Sequence, residues 1–209
     1  MTAATRSAPH TSSESTVDVF HLYPQALADE AVRSAALMAA RSPLADVRPD
    51  ERPGVYILFV NQPAKPLERY GAEITAGTFP IYVGSAQLLP KRLNRHRQTI
   101  ASASGLEVGS FSVSMIYTDS LASALAVEQT LIKLIRPPWN ERAMSGFGSA
   151  PQGERRLVQR PSGFDCLHRR NWAPTPSAKE RATARAALKL YLESGYVRPL
   201  WPELTLAKS

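Results

Sequence analysis

Six polar side chains in the middle of the chain have the types and spacing that phosphate and proton chemistry needs. Arg92 and His96 stand four residues apart, so on a helix both project from one face. An arginine fork binds phosphate oxygens, and a tyrosine or histidine can move a proton. A carboxylate can hold a divalent cation. The complete candidate set is Tyr56, Tyr82, Arg92, His96, Glu128 and Asn140.

Each of these side chains also has an ordinary structural interpretation. Arg92 could be a solvated surface arginine, and Tyr56 a half-buried strand tyrosine. Glu128 lies among apolar residues, where it would either hold Mg²⁺ or form a buried ion pair with Arg92 or Arg95. Asn140 follows a helix end, a position that favours hydrogen bonds from its side chain to the backbone.

Five predicted elements position this set, in the order strand, strand, helix, strand, helix. The apolar patterns place them at Gly54–Val60, Phe79–Val83, Leu88–Ser102, Ser110–Tyr117 and Leu121–Ile135. A further amphipathic helix is expected over residues 25–40, and another from the cap Ser177 to Gly195. This order predicts a small α/β layer with a short sheet covered by helices.

Composition and charge narrow the class of protein. The 209 residues are 44% hydrophobic with a mean hydropathy of -0.22, which excludes a wholly disordered chain. No apolar run is long enough to span a bilayer and the N-terminus lacks an export signal, so we expect a soluble cytoplasmic protein without membrane contact. The single cysteine, Cys166, fits a reducing compartment.

The charge is concentrated toward the C-terminus. Residues 143–209 carry 11 basic against 5 acidic residues, within a chain of net charge +7. Clustered basic residues bind phosphates with release of counterions, so nucleic acid is the leading candidate partner. A generally basic surface is the alternative.

The residues then match a known family. Gly54-Val55-Tyr56 and Tyr82-Val83-Gly84 resemble the two strand motifs of the GIY-YIG nucleases, with valine in place of isoleucine in both. Arg92 and His96 match that family's catalytic helix, and Glu128 and Asn140 match its acidic and amide positions. The resemblance covers residues 52–142. It implies an α/β (α+β) core, with a central three-stranded antiparallel sheet flanked by helices, that hydrolyses phosphodiesters with Tyr56 as general base.

A narrower resemblance reaches into the C-terminal third. Trp139-Asn140, Gly146-Phe147-Gly148 and residues 165–173 are similar to segments of the GIY-YIG type II restriction endonucleases that cut CCGCGG. It implies double-stranded DNA as substrate, one Mg²⁺ per active site held by Glu128 with Mn²⁺ as a substitute, and a DNA methyltransferase in the host. A palindromic target also favours a homodimer.

The predicted organisation has four parts: a tail over 1–16, an N-terminal helical segment over 17–50, the catalytic core over 51–142 and a basic DNA-recognition extension over 143–209. Base readout must come from outside the phosphate-handling core. The candidate DNA-binding residues are Arg95, Arg97, Arg155, Arg156, Arg160, Arg169, Arg170 and Asn171. His168 has no neighbour at metal-ligand spacing.

Three other functions are weighed. A homing or repair nuclease of the same family usually carries further modules, for which the residues after the core leave little room. An inactive DNA-binding protein is disfavoured because Arg92 and Glu128 are both present. The PD-(D/E)xK chemistry requires an acid followed by Glu-x-Lys, whereas Glu128 is followed by Gln129 and Thr130.

Overall fold

A four-stranded antiparallel sheet forms the centre of the computed structural model, which describes residues 29, 32–36, 39–61, 65–148 and 160–197. The strands are β1 (Arg41–Pro43), β2 (Gly54–Val60), β3 (Tyr82–Ala86) and β4 (Phe111–Tyr117), in the spatial order β1-β4-β2-β3. The prediction of an antiparallel sheet flanked by helices is confirmed, and β2 is buried along its whole length.

The sheet has one strand more than the three that were expected. The short β1 pairs with β4, with Pro43 opposite Ser112. A proline lacks the N–H that a central strand must donate, so it is tolerated here because β1 lies at the sheet edge. Pro43 is therefore compatible with a strand at this position.

β3 begins three residues later than predicted. Phe79 and Ile81 are buried, which explains why the apolar pattern included them, but ladder pairing starts only at Tyr82 opposite Leu58. In this register Gly84 faces Tyr56 across the ladder. The two motif segments are therefore direct neighbours in the sheet.

Besides the helical residues 32–36, the described part of the chain contains five α-helices: α1 (Ala72–Thr75), α2 (Leu89–Ala101), α3 (Leu121–Ile135), α4 (Gly163–Leu167) and α5 (Ala178–Glu193). The predicted bounds of α3 are confirmed, with the Ser120 hydroxyl capping its first turn. α5 starts with a capping box between Ser177 and Glu180. Its buried side chains include Leu188 and Tyr191, whereas Leu190 is 68% exposed.

The core continues across residue 142, where the catalytic core and the basic extension were separated by prediction. Trp139 stands at its centre, with its ring centroid 4.5 Å from that of Phe147 and 5.1 Å from that of Phe164. All three side chains are buried. Residues after 142 therefore help to build the same core as the sheet.

The N-terminal predictions are only partly covered by the described residues. Residues 32–36 are helical, in agreement with the helix expected over 25–40, while the tail over 1–16 lies outside the described residues. No helix among the described residues has the length and apolar character needed to cross a bilayer.

Candidate active site

The Tyr56 hydroxyl stands at the centre of the candidate site. It lies 2.6 Å from Nε2 of His96 and accepts a hydrogen bond of 3.0 Å from Nε of Arg92. Because an arginine can only donate, the phenolic proton is free to point at the imidazole. Two residues from one face of α2 thus hold one tyrosine oxygen from the central strand.

The pairing of β2 with β3 explains why a glycine is needed beside this tyrosine. A Cβ at Gly84 would overlap the Tyr56 hydroxyl and its ring carbon, so the second motif must keep a hydrogen atom at that position. Tyr82, two residues earlier, packs its ring 6.1 Å from that of Tyr56 and 5.5 Å from the His96 imidazole. The strand register therefore brings both motif tyrosines to the α2 histidine.

Burial keeps the tyrosine and the histidine in their neutral forms. The His96 side chain is 1% exposed, and desolvation together with the charges of Arg92 and Arg95 lowers its pKa well below the ordinary value. Desolvation raises the pKa of Tyr56 well above its ordinary value, assisted by Tyr82 and opposed by Arg92. The neutral imidazole can accept a hydrogen bond from the phenol, whereas both pKa shifts oppose full transfer of the phenolic proton in the free protein.

This result changes the expected role of Tyr56. The resemblance implied a general base, a role that requires a phenolate favoured by neighbouring cations, but in the free protein burial outweighs the effect of Arg92. Tyr56 therefore rests as a phenol. It can act as a base only while it passes its own proton on, and His96 is the acceptor in position.

Arg92 connects the buried pair to the surface. The residue is partly exposed, and besides the Nε bond to Tyr56 its Nη1 donates to the Gly148 carbonyl at 3.1 Å. Tyr82 lies close enough to Arg92 for that charge to oppose the burial that raises the Tyr82 pKa. The remaining N–H groups of Arg92 are thus the charged donors nearest the pair.

Glu128 and Asn140 both contact β3, at Ser85 and Val83 respectively. The Ser85 hydroxyl donates to Oε2 of Glu128. Among the described residues, Glu128 thus binds a hydroxyl instead of forming the alternative ion pair with Arg92 or Arg95. The Asn140 amide donates to the Val83 carbonyl and accepts from the Val83 N–H, both at 2.8 Å. Asn140 therefore fixes the strand that carries Tyr82.

The side chains present are compatible with a Mg²⁺ ion that takes some of its ligands from the substrate. Glu128 is partly exposed and near enough to Tyr82 to raise the pKa of that phenol. Within the described residues no group of three or more histidine, cysteine or acidic side chains could hold a metal. Mg²⁺ commonly uses one or two carboxylates, several waters and substrate phosphates. A single Glu128 carboxylate is compatible with that mode.

The candidate DNA-binding residues divide into exposed and internal groups. The exposed group is Arg95, Arg160, Arg169 and Asn171. Arg97 instead donates to the backbone carbonyls of Leu44 and Val47, and so anchors the turn after β1. Arg155 and Arg156 lie outside the described residues.

Arg170, one of the candidate DNA-binding residues, is not accessible to DNA in this structure. Its side chain is fully buried and forms an ion pair with Asp165, in which Nε and Nη2 each lie 2.6 Å from a carboxylate oxygen. A third bond runs from Nη1 to the Gly146 carbonyl at 3.0 Å. A guanidinium committed in this way presents no donors to a groove.

Sequence analysis missed a second tyrosine–histidine pair. The Tyr70 hydroxyl lies 2.9 Å from Nε2 of His168 and accepts a bond of 3.0 Å from the indole N–H of Trp139. Tyr70 and His168 are 98 positions apart, and Trp139 belongs to a third segment. No sequence spacing therefore predicts the contact. Ser85 and Gly148 were likewise absent from the candidate set, although Gly148 stood within a quoted motif.

Two comparisons with known proteins found a match to this chain. The family model "Eco29kI GIY-YIG domain", which represents a restriction-endonuclease family, matches residues 85–191. Among solved structures, a match is the GIY-YIG N-terminal endonuclease domain of UvrC from Thermotoga maritima, described as bound to magnesium, its catalytic divalent cation. The match to the UvrC domain has 24% sequence identity and a TM-score of 0.29, and it covers 54% of this chain and 98% of the UvrC domain's chain. No curated protein matches the chain.

Proposed function

The chain belongs to the restriction-endonuclease family of the Eco29kI GIY-YIG domain, and from this membership we propose that it is a Mg²⁺-dependent type II site-specific deoxyribonuclease. Its proposed substrate is double-stranded DNA, cut in both strands at a GC-rich palindrome, CCGCGG. The single observation that carries the proposal is the Tyr56 hydroxyl, held between a neutral His96 and the Arg92 guanidinium.

In the proposed reaction the proton of the attacking water moves through this pair. The water gives its proton to the Tyr56 oxygen as the water oxygen bonds to phosphorus and the bond from phosphorus to the leaving oxygen breaks, while the phenolic proton passes to Nε2 of His96. The leaving oxygen takes a proton from solvent. The imidazole becomes positively charged and loses its proton to solvent after cleavage. This relay requires a neutral acceptor at short distance, and the burial of His96 supports that requirement.

Arg92 and Tyr82 act on the phosphate in this proposal. The N–H groups of Arg92 that are not used by Tyr56 and Gly148 would bind the non-bridging oxygens, where negative charge grows in the transition state. The Tyr82 hydroxyl, close to the same guanidinium, would donate to one of these oxygens. Asn140 contributes by holding the strand that carries Tyr82.

Glu128 would hold the magnesium ion, with Ser85 orienting its carboxylate. When bound there, Mg²⁺ would supply positive charge for the phosphate oxygens and the leaving oxygen. Mn²⁺, which accepts the same oxygen ligands, would substitute.

Specific DNA contacts are proposed for the exposed group, which is Arg95, Arg160, Arg169 and Asn171. Arginine is the common partner of guanine O6 and N7 in the major groove, in keeping with a GC-rich site. Arg155 and Arg156 stay in the proposal from their sequence alone. Arg97 and Arg170 are left out of base readout, because their donors bind the protein itself.

We further propose that the protein is a homodimer and that its host carries a matching methyltransferase. A palindrome cut in both strands by one site per chain favours a two-fold homodimer, in the cytoplasm of a host that carries the matching methyltransferase. The four-part organisation over 1–16, 17–50, 51–142 and 143–209 also stays a proposal. Sedimentation of the protein with and without a CCGCGG duplex measures the assembly: two chains per duplex are expected, and one chain per duplex would contradict the dimer.

Cleavage of unmethylated plasmid DNA tests the function. The wild-type protein is incubated with plasmid containing CCGCGG, with Mg²⁺ or with EDTA, and the fragment ends are sequenced. Mg²⁺-dependent ends inside CCGCGG are expected. Discrete ends elsewhere would keep the nuclease and refute the specificity, while intact plasmid under both conditions would favour an inactive DNA-binding protein.

A further inference from the structure

The buried ion pair between Asp165 and Arg170 supports a short segment that touches the candidate active site. Arg170 spends two donors on the Asp165 carboxylate and a third on the Gly146 carbonyl. Ser162 donates to the other side of the carboxylate at 2.6 Å. A buried ion pair often adds little net stability, so its link to Gly146 calls for another explanation.

Gly146 is shaped to sit on this support. Its backbone φ is +117°, a conformation that favours glycine. A Cβ there would also overlap the Ser162 side chain. The backbone of residue 146 is therefore held from two sides, by the Arg170 donor and by the Ser162 surface.

The two residues that follow Gly146 reach the candidate site directly. The Phe147 ring stacks on the His96 imidazole, with centroids 4.5 Å apart and planes within 7°. The Gly148 carbonyl accepts from Nη1 of Arg92. Phe147 thus covers the proton acceptor, and Gly148 fixes the phosphate-facing arginine.

We propose that Asp165 and Arg170 are positioning residues for DNA cleavage, which act through Gly146, Phe147 and Gly148 on His96 and Arg92. The inference rests on the proposed function and assigns these two residues a role in the reaction, in place of base readout. A fixed guanidinium plane and a covered imidazole are the preorganisation that a hydrolytic site requires.

The covered imidazole also gives the proposal a pH signature. The charged or titratable groups that face His96 are Tyr56 and Tyr82 from the strands, and Arg92 and Arg95 from its own helix. None of them is an acid that would stabilise a charged imidazole. Removal of the Phe147 cover therefore admits water, and the His96 pKa should rise toward its ordinary value.

Arg170→Met and Asp165→Asn test the proposal, with Arg136→Met as the control because Arg136 forms a partly exposed ion pair with Glu141. Single-turnover cleavage rates and DNA affinities are measured from pH 5.5 to 8.5. Loss of alignment should slow cleavage about 10- to 100-fold, with DNA affinity within about threefold. The deficit should grow toward acid pH, whereas the control should follow the wild-type profile.

A second readout works without cleavage and so separates the two proposals. The His96 imidazole is titrated by NMR in each full-length variant, and its resonance is assigned by its absence in His96→Gln. Phe147→Leu keeps the ion pair intact and should reproduce the raised His96 pKa, even where Arg170→Met fails to fold. Unchanged His96 titration in folded variants would overturn the positioning role. Wild-type protein that cuts no DNA would refute only the function.

Discussion

Two tyrosine–histidine pairs in this molecule share one geometry and differ in their third partner. Tyr56 pairs with His96 at 2.6 Å and accepts from Arg92, while Tyr70 pairs with His168 at 2.9 Å and accepts from Trp139. Both accepted bonds are 3.0 Å long. In both pairs burial favours the neutral imidazole and the phenol.

The third partner separates a candidate site from a core contact. Arg92 is charged and partly exposed, so it can bind an external phosphate while it orients the phenol. Trp139 offers one neutral N–H and is 1% exposed. A hydrogen-bonded tyrosine and histidine are therefore insufficient evidence for chemistry, and a charged donor that reaches solvent is the distinguishing feature.

The largest effect is expected at Glu128, the proposed ligand of the metal ion. Glu128→Gln should lower Mg²⁺-dependent cleavage by at least about a thousandfold, because loss of the metal removes its charge from the transition state. DNA binding without metal should persist. Glu141→Gln removes a carboxylate that pairs with Arg136 and is the control. A Glu128→Gln enzyme that cuts normally would refute the metal assignment.

A smaller loss of cleavage rate is expected when lysine replaces Arg92, because an ammonium group is a point charge without the fork of a guanidinium. Arg92→Lys cannot donate at once to Tyr56, to Gly148 and to a phosphate, and should slow single-turnover cleavage about 100-fold. Arg41→Lys is the matched control, because Arg41 Nη1 also donates to a glycine carbonyl, that of Gly77 at 2.6 Å. Equal rates for the two variants would remove the feature that distinguishes the pairs.

The glycine beside the first pair should matter more than a glycine in open space. Gly84→Ala places a methyl group on the Tyr56 hydroxyl, and the overlap should cost about 1–3 kcal/mol of folding free energy and displace the phenol. Gly109→Ala meets no atom within 4 Å. Thermal unfolding and cleavage are measured for both. A fully active Gly84→Ala would show that the close approach of β3 to the Tyr56 hydroxyl is not needed for cleavage.

The second pair should be visible in the pH dependence of stability. Burial lowers the His168 pKa from 6.5 to about 3, so the unfolded chain binds a proton that the folded chain refuses. The free energy of unfolding should therefore fall as the pH drops below 6.5, by about 1.4 kcal/mol per pH unit for each such imidazole. Denaturant titrations at several pH values between 4.5 and 6 give the free energy of unfolding. This free energy should change less with pH in His168→Gln than in the wild type. An equal pH dependence of the unfolding free energy in both proteins would mean that His168 is charged in the folded state.

Local patterns predicted most elements of the fold but misplaced the edges of the sheet. The bounds of α3 followed from the Ser120 cap and the apolar period. β1 was missed, because three residues that end in proline carry no strand pattern and pair only through β4. The start of β3 was misplaced, because Phe79 and Ile81 are apolar for reasons of burial rather than ladder pairing.

Sequence predicted which residues form the candidate site but not how they share their hydrogen bonds. Arg92 and His96 converge on Tyr56 because helical spacing places them on one face. Arginines in the basic extension looked equivalent, and only the fold shows that Arg170 meets the buried Asp165 while Arg169 is exposed. Long-range contacts such as that between Tyr70 and His168 leave no local signal.

The most direct test compares Tyr56→Phe with Tyr70→Phe in one cleavage assay. Each variant loses one buried hydroxyl that pairs with a histidine. Single-turnover rates are measured with the same unmethylated CCGCGG plasmid, with Mg²⁺ and below the unfolding temperature of both proteins.

Tyr56→Phe should cut at least about a hundredfold more slowly than wild type, since it loses the proton relay. Tyr70→Phe should lose about 1–3 kcal/mol of stability and cut within about threefold of wild type. Equal rates for the two variants would contradict the account.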